Sequence, residues 1–150
     1  MLIHLFLLVL VFSGVMVEDT RAQVPEIIFD PSLGVDLSAM TRSPSGLYSR
    51  VLEKGQGERA TTGTSLEIEF TAHLPDGTQF GESVLGEPLE VSLGQTRMIA
   101  GFMEGLMGMR PGESRLIVIP PEIGYGTRGV DGVVPPSSTL VFRLKRVDGQ

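Results

Sequence analysis

The sequence predicts an α+β fold, a curved antiparallel β-sheet wrapped around one short α-helix. Three observations carry this reading. Apolar residues alternate with polar ones in several short stretches bounded by turn residues, the period of half-buried strands. From Met98 onward, for about ten residues, the spacing lengthens to three and four, the period of an amphipathic helix. Glycine (19) and proline (10) are abundant in the 150 residues, which favours turns and short strands over a helical bundle. Strands, then one helix, then strands again place a lone helix against one sheet.

Taken in order, Leu2 to Val17 form an apolar run broken only by His4, Ser13 and Gly14. The run is shorter than the roughly 20 residues that span a bilayer. Glu18-Asp19-Thr20-Arg21 follows, and Thr20 and Ala22 fit a small-x-small cleavage pattern. Residues 1–22 are therefore read as a secretory signal peptide cut after Ala22, implying a secreted or periplasmic protein with no membrane span after cleavage. The leading residues lack Lys and Arg, so an uncleaved membrane anchor is the alternative. Residues 23–45 are punctuated by Pro25, Pro31 and Pro44. They are expected to form an extended arm with little packing and a short helical turn near Val35 to Met40.

The domain proper is expected over residues 46–150. Gly46 to Leu52 half-alternates and ends at Lys54-Gly55-Gln56-Gly57. Leu66, Ile68, Phe70 and Ala72 share one face of a clean strand, followed by the hairpin-type turn Pro75-Asp76-Gly77-Thr78. Leu89 to Leu93 alternates again and stops at Gly94. The helix carries Ile99, Phe102, Met103, Leu106 and Met107, with Thr96 the expected N-cap and Gly108 its end. Gly101 and Gly105 weaken it by about 1 kcal/mol each relative to alanine, so it must lean on a sheet. After the turn Arg110-Pro111-Gly112-Glu113, Ser114 to Ile119 and Thr139 to Val147 read as strands.

Composition excludes several functions. A formal charge of −6 disfavours nucleic acid, whose phosphates demand clustered Lys and Arg. Without cysteine there are no disulfides, no thiolate catalysis, no Cys-based zinc site and no lipidated cysteine. His73 stands alone beside a turn, and no metal or other cofactor is expected. Glu104 is expected to be exposed and without a catalytic role. Gly124-x-Gly126-x-x-Gly129 matches a dinucleotide fingerprint by letter, but the Val-Val-Pro-Pro that follows cannot open the helix needed to meet a pyrophosphate.

What remains is apolar. Phe70, Phe80, Phe102, Tyr125 and Phe142 are five of the six aromatic residues beyond Val35, and on their own they could simply fill a core. The Val133-Val134-Pro135-Pro136 loop is stiffened by its prolines. Together with Tyr125 it can wall an apolar pocket while offering a hydroxyl donor.

These residues closely resemble FKBP-type peptidyl-prolyl isomerases of the single-domain, secreted bacterial type. Phe70-Thr71-Ala72-His73-Leu74-Pro75-Asp76-Gly77-Thr78-Gln79-Phe80 is similar to the family's Tyr-Thr-Gly…Asp-Gly…Phe-Asp segment. Met98-Ile99-Ala100-Gly101-Phe102-Met103-Glu104-Gly105-Leu106 is similar to its Val-Ile-x-Gly-Trp-x-Glu-x-Leu helix. Gly55-Gln56-Gly57, Met109-Arg110-Pro111-Gly112-Glu113, Ile119-Pro120-Pro121-Glu122 with Tyr125-Gly126, and the closing Thr139-Leu140-Val141-Phe142 follow in family order. The resemblance implies an FKBP-like fold and acceleration of X-Pro isomerisation in proline-containing polypeptide clients. It implies Phe102 as pocket floor and Phe70, Phe80, Leu89, Met98, Ile99, Val133, Val134 and Phe142 as walls. The Ile99 amide and the Tyr125 hydroxyl would hold substrate carbonyls, making Tyr125, Ile99 and Phe102 the catalytic set. Phe70 and Gly81 depart from the family's tyrosine and aspartate, and Glu82 is the nearest carboxylate that could substitute. That departure keeps open a chaperone or proline-binding module with this fold and weak or no isomerase activity.

Overall fold

The computed structural model describes residues 26–149, and the signal-peptide reading of 1–22 lies outside them. The strands are β1 (Thr41–Arg42), β2 (Tyr48–Glu53), β3 (Ser65–His73), β4 (Gln79–Glu82), β5 (Leu89–Ser92), β6 (Ser114–Ile119) and β7 (Leu140–Arg146). One helix, α1 (Ala100–Leu106), joins β5 to β6. The sheet order is β1-β2-β6-β7-β3-β4, with every described pair antiparallel. β3 is the long element, and its free edge is divided between partners. Ser65 to Ile68 pair with β5, and Thr71 to His73 pair with β4.

Alternation decides which face each strand residue serves. Leu66, Ile68 and Ala72 of β3, Ile117 and Ile119 of β6, and Leu140, Phe142 and Leu144 of β7 are buried beneath Phe102 and Leu106 of α1. Helix and sheet meet closely because α1 is glycine-rich on that side. A Cβ on Gly101 would lie 2.5 Å from Ile119 Cγ2, and one on Gly105 would lie 2.6 Å from Ile117 Cδ1. The glycines that weaken the isolated helix are thus the ones that let it dock. The expected Thr96 cap is not formed. Ile99 is the N-cap and gives no side-chain bond, while Thr96 Oγ1 accepts from the Ser92 amide, closing the turn before the helix. The other end is held by Arg115, whose guanidinium donates to the Gly105 and Met107 carbonyls at 3.1 and 2.7 Å. Arg115 is itself paired to the buried Glu113 at 2.5 Å.

The arm differs most from expectation. Residues 26–45 are extended in part and mostly exposed, but they are anchored at two buried points. The short helical turn is present at Leu37–Ala39, and a second one precedes it at Pro31–Leu33. Leu33 and Met40 are buried against Leu116, Val118 and Val141 on the outer face of the sheet. The reason lies in β6 and β7, whose consecutive apolar residues leave side chains on both faces to be covered. Arg143 reinforces the cover by donating to the Leu33 carbonyl at 2.9 Å.

Candidate functional site

The inner face of the sheet gathers four of the predicted aromatic residues. Phe102 of α1 stands edge-on to Phe70 (centroids 5.9 Å, planes at 81°) and to Phe142 (5.4 Å, 69°). Phe80 stands edge-on to Phe142 at 5.8 Å, and Phe70 lies 6.1 Å from Phe142. Such edge-to-face sets add order to ordinary apolar burial. Each ring comes from a different element, since α1, β3, β4 and β7 supply one apiece. Leu89 and Ile99 pack against the same cluster and Val134 is buried in it.

The remaining predicted residues are exposed. Met98 is 37% exposed, Tyr125 36% and Val133 47%. Phe102, by contrast, has no exposed surface. It packs edge-on against Phe70 and the buried Phe142, so of the four rings only Phe70 and Phe80 are half-buried rather than sealed. At the helix entry the Ile99 N–H makes no backbone hydrogen bond among the described residues. This follows from its position as N-cap, outside the helical ladder.

The Tyr125 loop is held by backbone bonds. The Gly126 N–H donates to Pro121 O, Gly129 N–H to Tyr125 O, and Ser137 N–H to Gly126 O. Val130 and Val134 exchange N–H···O bonds at 2.8 Å, closing the loop between them. Gly129 sits at φ +60, where a Cβ would run into the Val134 carbonyl. Tyr125 and Val133 therefore stand on a pinned loop.

Position 81 explains the missing polar pair. A Cβ built on Gly81 would lie 3.7 Å from Phe70 Cε2 and 3.7 Å from Ala72 Cβ, so a side chain there would point at the Phe70 ring. Glu82 does not replace it. One residue on, it turns to the opposite face, where it lines an outer groove of about 600 Å³ with Thr71, Arg143 and Lys145. Leu74 was not singled out as a site residue, yet it packs against the aromatic cluster. One more step of the alternation Leu66, Ile68, Phe70, Ala72 would have found it. His73 is half-buried. Glu104 is half-buried rather than exposed and accepts a 2.6 Å bond from Ser45 Oγ, tying the arm to α1. Among the described residues no cluster of three or more His, Asp or Glu groups is placed to hold a metal ion, and no helix is long and apolar enough to cross a membrane.

Four phenylalanines thus converge between one helix and the sheet, in a core that also buries Val134 of the Tyr125 loop. The family profile described as FKBP-type peptidyl-prolyl cis-trans isomerase matches residues 56–146, and the chain belongs to that family. It is 40% identical over 104 residues to FK506-binding protein 1A of Neurospora crassa, covering 68% of this chain and 87% of that one. The FK506-binding protein of Neisseria meningitidis serogroup B is 39% identical over 101 residues, covering 67% and 93%. Among solved structures, FkpA from Escherichia coli superposes with a TM-score of 0.66 at 37% identity, covering 73% of this chain and 51% of that one.

Proposed function

We propose that this protein catalyses cis-trans isomerisation of X-Pro bonds in exported or periplasmic polypeptides. The observation that carries the reading is the half-buried set Phe70, Phe80 and Ile99 packed on one core that also buries Val134, whose loop carries the exposed Tyr125.

The chemistry asked of such a site is modest. The isomers of an X-Pro bond differ by only about 0.5–1 kcal/mol, yet they exchange over tens of seconds or longer. The barrier of ~18–20 kcal/mol is amide resonance lost on twisting. The planar amide is the more charge-separated form, so water favours it over the twisted one. A proline ring seated against phenyl and aliphatic groups leaves part of that water behind. Donors at Ile99 and Tyr125 hold the flanking carbonyls while the bond rotates. Interactions made best with the twisted geometry lower the barrier, and each 1.36 kcal/mol is worth a factor of ten. No nucleophile takes part. Phe70 and Gly81 favour a second reading, a proline-binding module or chaperone with little turnover, because the polar pair that could face the substrate is absent.

Proline-limited refolding of a model substrate separates the two. Tyr125→Phe keeps the ring and removes the hydroxyl, and loss of one hydrogen bond in the transition state should cut kcat/KM roughly 3- to 10-fold. Phe102→Ala is a poorer probe, since truncating a fully buried Phe costs about 3–5 kcal/mol of stability. Equal refolding rates with and without the protein, alongside binding of the unfolded chain, would establish the module. Export is supported by the apolar run Leu2 to Val17 and the small residues Thr20 and Ala22. Mass spectrometry of the protein recovered from the producing cell should find Gln23 at the amino terminus.

A further inference from the structure

Beyond the ring cluster, apolar surface continues in one direction. A cavity of about 270 Å³ is lined by Val133, Val134, Leu74 and Pro135. A second, of about 400 Å³, shares Leu74 and Pro135 and extends to Ile27 and Ile28 of the arm. Both isoleucines are uncovered, Ile27 at 43% and Ile28 at 86% exposure. They are nonetheless held in place, because the Asp30 amide two residues on donates to the Pro75 carbonyl at 2.7 Å. The turn and the arm are close enough that a Cβ on Gly77 would lie 3.2 Å from Asp30 Cγ. Exposed aliphatic residues fixed along a groove beside the ring cluster mark a contact surface rather than core.

We propose that this groove, from Val133–Val134 past Leu74 and Pro135 to Ile27–Ile28, is a second subsite for the same polypeptide client. It takes an aliphatic side chain several residues away from the proline. The inference rests on the reading of the ring cluster as a proline site, since continuity with that site is what selects the occupant. Asp76, Asp131 and Arg128 line the groove, so Arg128 offsets one of the two carboxylates and the aliphatic lining, more than charge, sets what the groove takes. The arm thereby acquires a role: it lengthens the substrate footprint and favours unfolded chains over short peptides.

The test uses peptides of about a dozen residues centred on one proline, free of acidic residues, with an isoleucine pair on one flank or serines in its place. The isoleucine peptides should bind roughly 3- to 10-fold tighter than the serine versions, as expected for partial burial of one aliphatic side chain. Ile27→Ser/Ile28→Ser should erase that difference while leaving binding of a four-residue Ala-X-Pro-X peptide unchanged. Methyl NMR signals of Ile27 and Ile28 should shift with the long peptide and not with the short one. Equal binding of both long peptides by the unaltered protein, or an isoleucine preference that survives the double substitution, would overturn the proposal. If neither peptide perturbs Ile99 or Tyr125 and no isomerisation is accelerated, the proline-site reading fails, whereas the isoleucine comparison still reports on the groove.

Discussion

At the scale of single residues, the site differs from its family where a polar pair has become apolar. Phe70 and Gly81 are a coherent substitution: the space at position 81 opens onto the Phe70 ring, with 3.7 Å from a built Cβ to Cε2. Restoring only one partner should therefore be unfavourable. Gly81→Asp sets a half-buried carboxylate against a phenyl edge, costing about 1–3 kcal/mol. Phe70→Tyr/Gly81→Asp supplies the hydroxyl for that carboxylate and should recover most of the loss. Urea denaturation of the two single variants and the double variant checks this, and strict additivity would show that the side chains do not meet. That Phe70, Phe80, Phe102 and Phe142 would share one apolar face was legible from their motifs. Their exposure was not, because burial depends on neighbours from distant segments. Phe102 is sealed by Phe70 and Phe142, which lie 32 positions before it and 40 after it in the sequence.

At the scale of elements, what the periods announced is what formed. The alternating run Leu66 to Ala72 lies within β3, and the β-branched, apolar run Ser114 to Ile119 forms β6, since each pattern is carried by the strand's own side chains. The arm's packing was illegible because Leu33 and Met40 are isolated among turn residues. Only the doubled apolar faces of β6 and β7 gave a hint. Glycines of α1 connect local propensity to packing, and the two terms have opposite signs. Alanine improves an isolated helix by about 0.8–1.0 kcal/mol over glycine. At position 101, however, its methyl group meets Ile119 Cγ2 at 2.5 Å and the Ile123 carbonyl at 3.1 Å, and overpacking of this kind costs about 1–3 kcal/mol. Gly101→Ala should thus destabilise despite better helix propensity. Gly105→Ala should be milder, because its nearest neighbour is the terminal Cδ1 of Ile117, which can rotate away. The ordering of the urea midpoints, with Gly101→Ala below Gly105→Ala, is the measurement.

At the scale of the whole molecule, one buried cation joins the sheet to its loops and makes the fold sensitive to acid. Arg146, 7% exposed, donates from Nη1 to Met109 O at 2.8 Å and to Glu58 O at 3.3 Å. From Nε and Nη2 it donates to Asp148 at 3.0 and 2.7 Å. Asp148 also accepts from the Glu67 amide at 3.1 Å, so β3, β7 and two loops share this junction. Burial alone would raise the Asp148 carboxyl. The Arg146 bonds and the Glu67 N–H outweigh it and hold the group below its ordinary 3.8. Because the folded value is depressed, the unfolded chain takes up a proton first as pH falls. The stabilisation is complete above about pH 5 and drains away as pH drops through 3.8 toward the folded value. Asp30, Asp36 and Asp76 shift the same way through bonds from Ser32, Ser38 and Thr78, adding slope of the same sign. Asp148→Asn leaves Arg146 facing a neutral amide. It should lower stability at pH 7 by about 1.5–3 kcal/mol, the worth of hydrogen bonds to a charged group, and it should flatten the decline between pH 5 and pH 3. Parallel denaturation curves for the two proteins across that window, with an undiminished slope in the variant, would place the acid sensitivity elsewhere than at this junction.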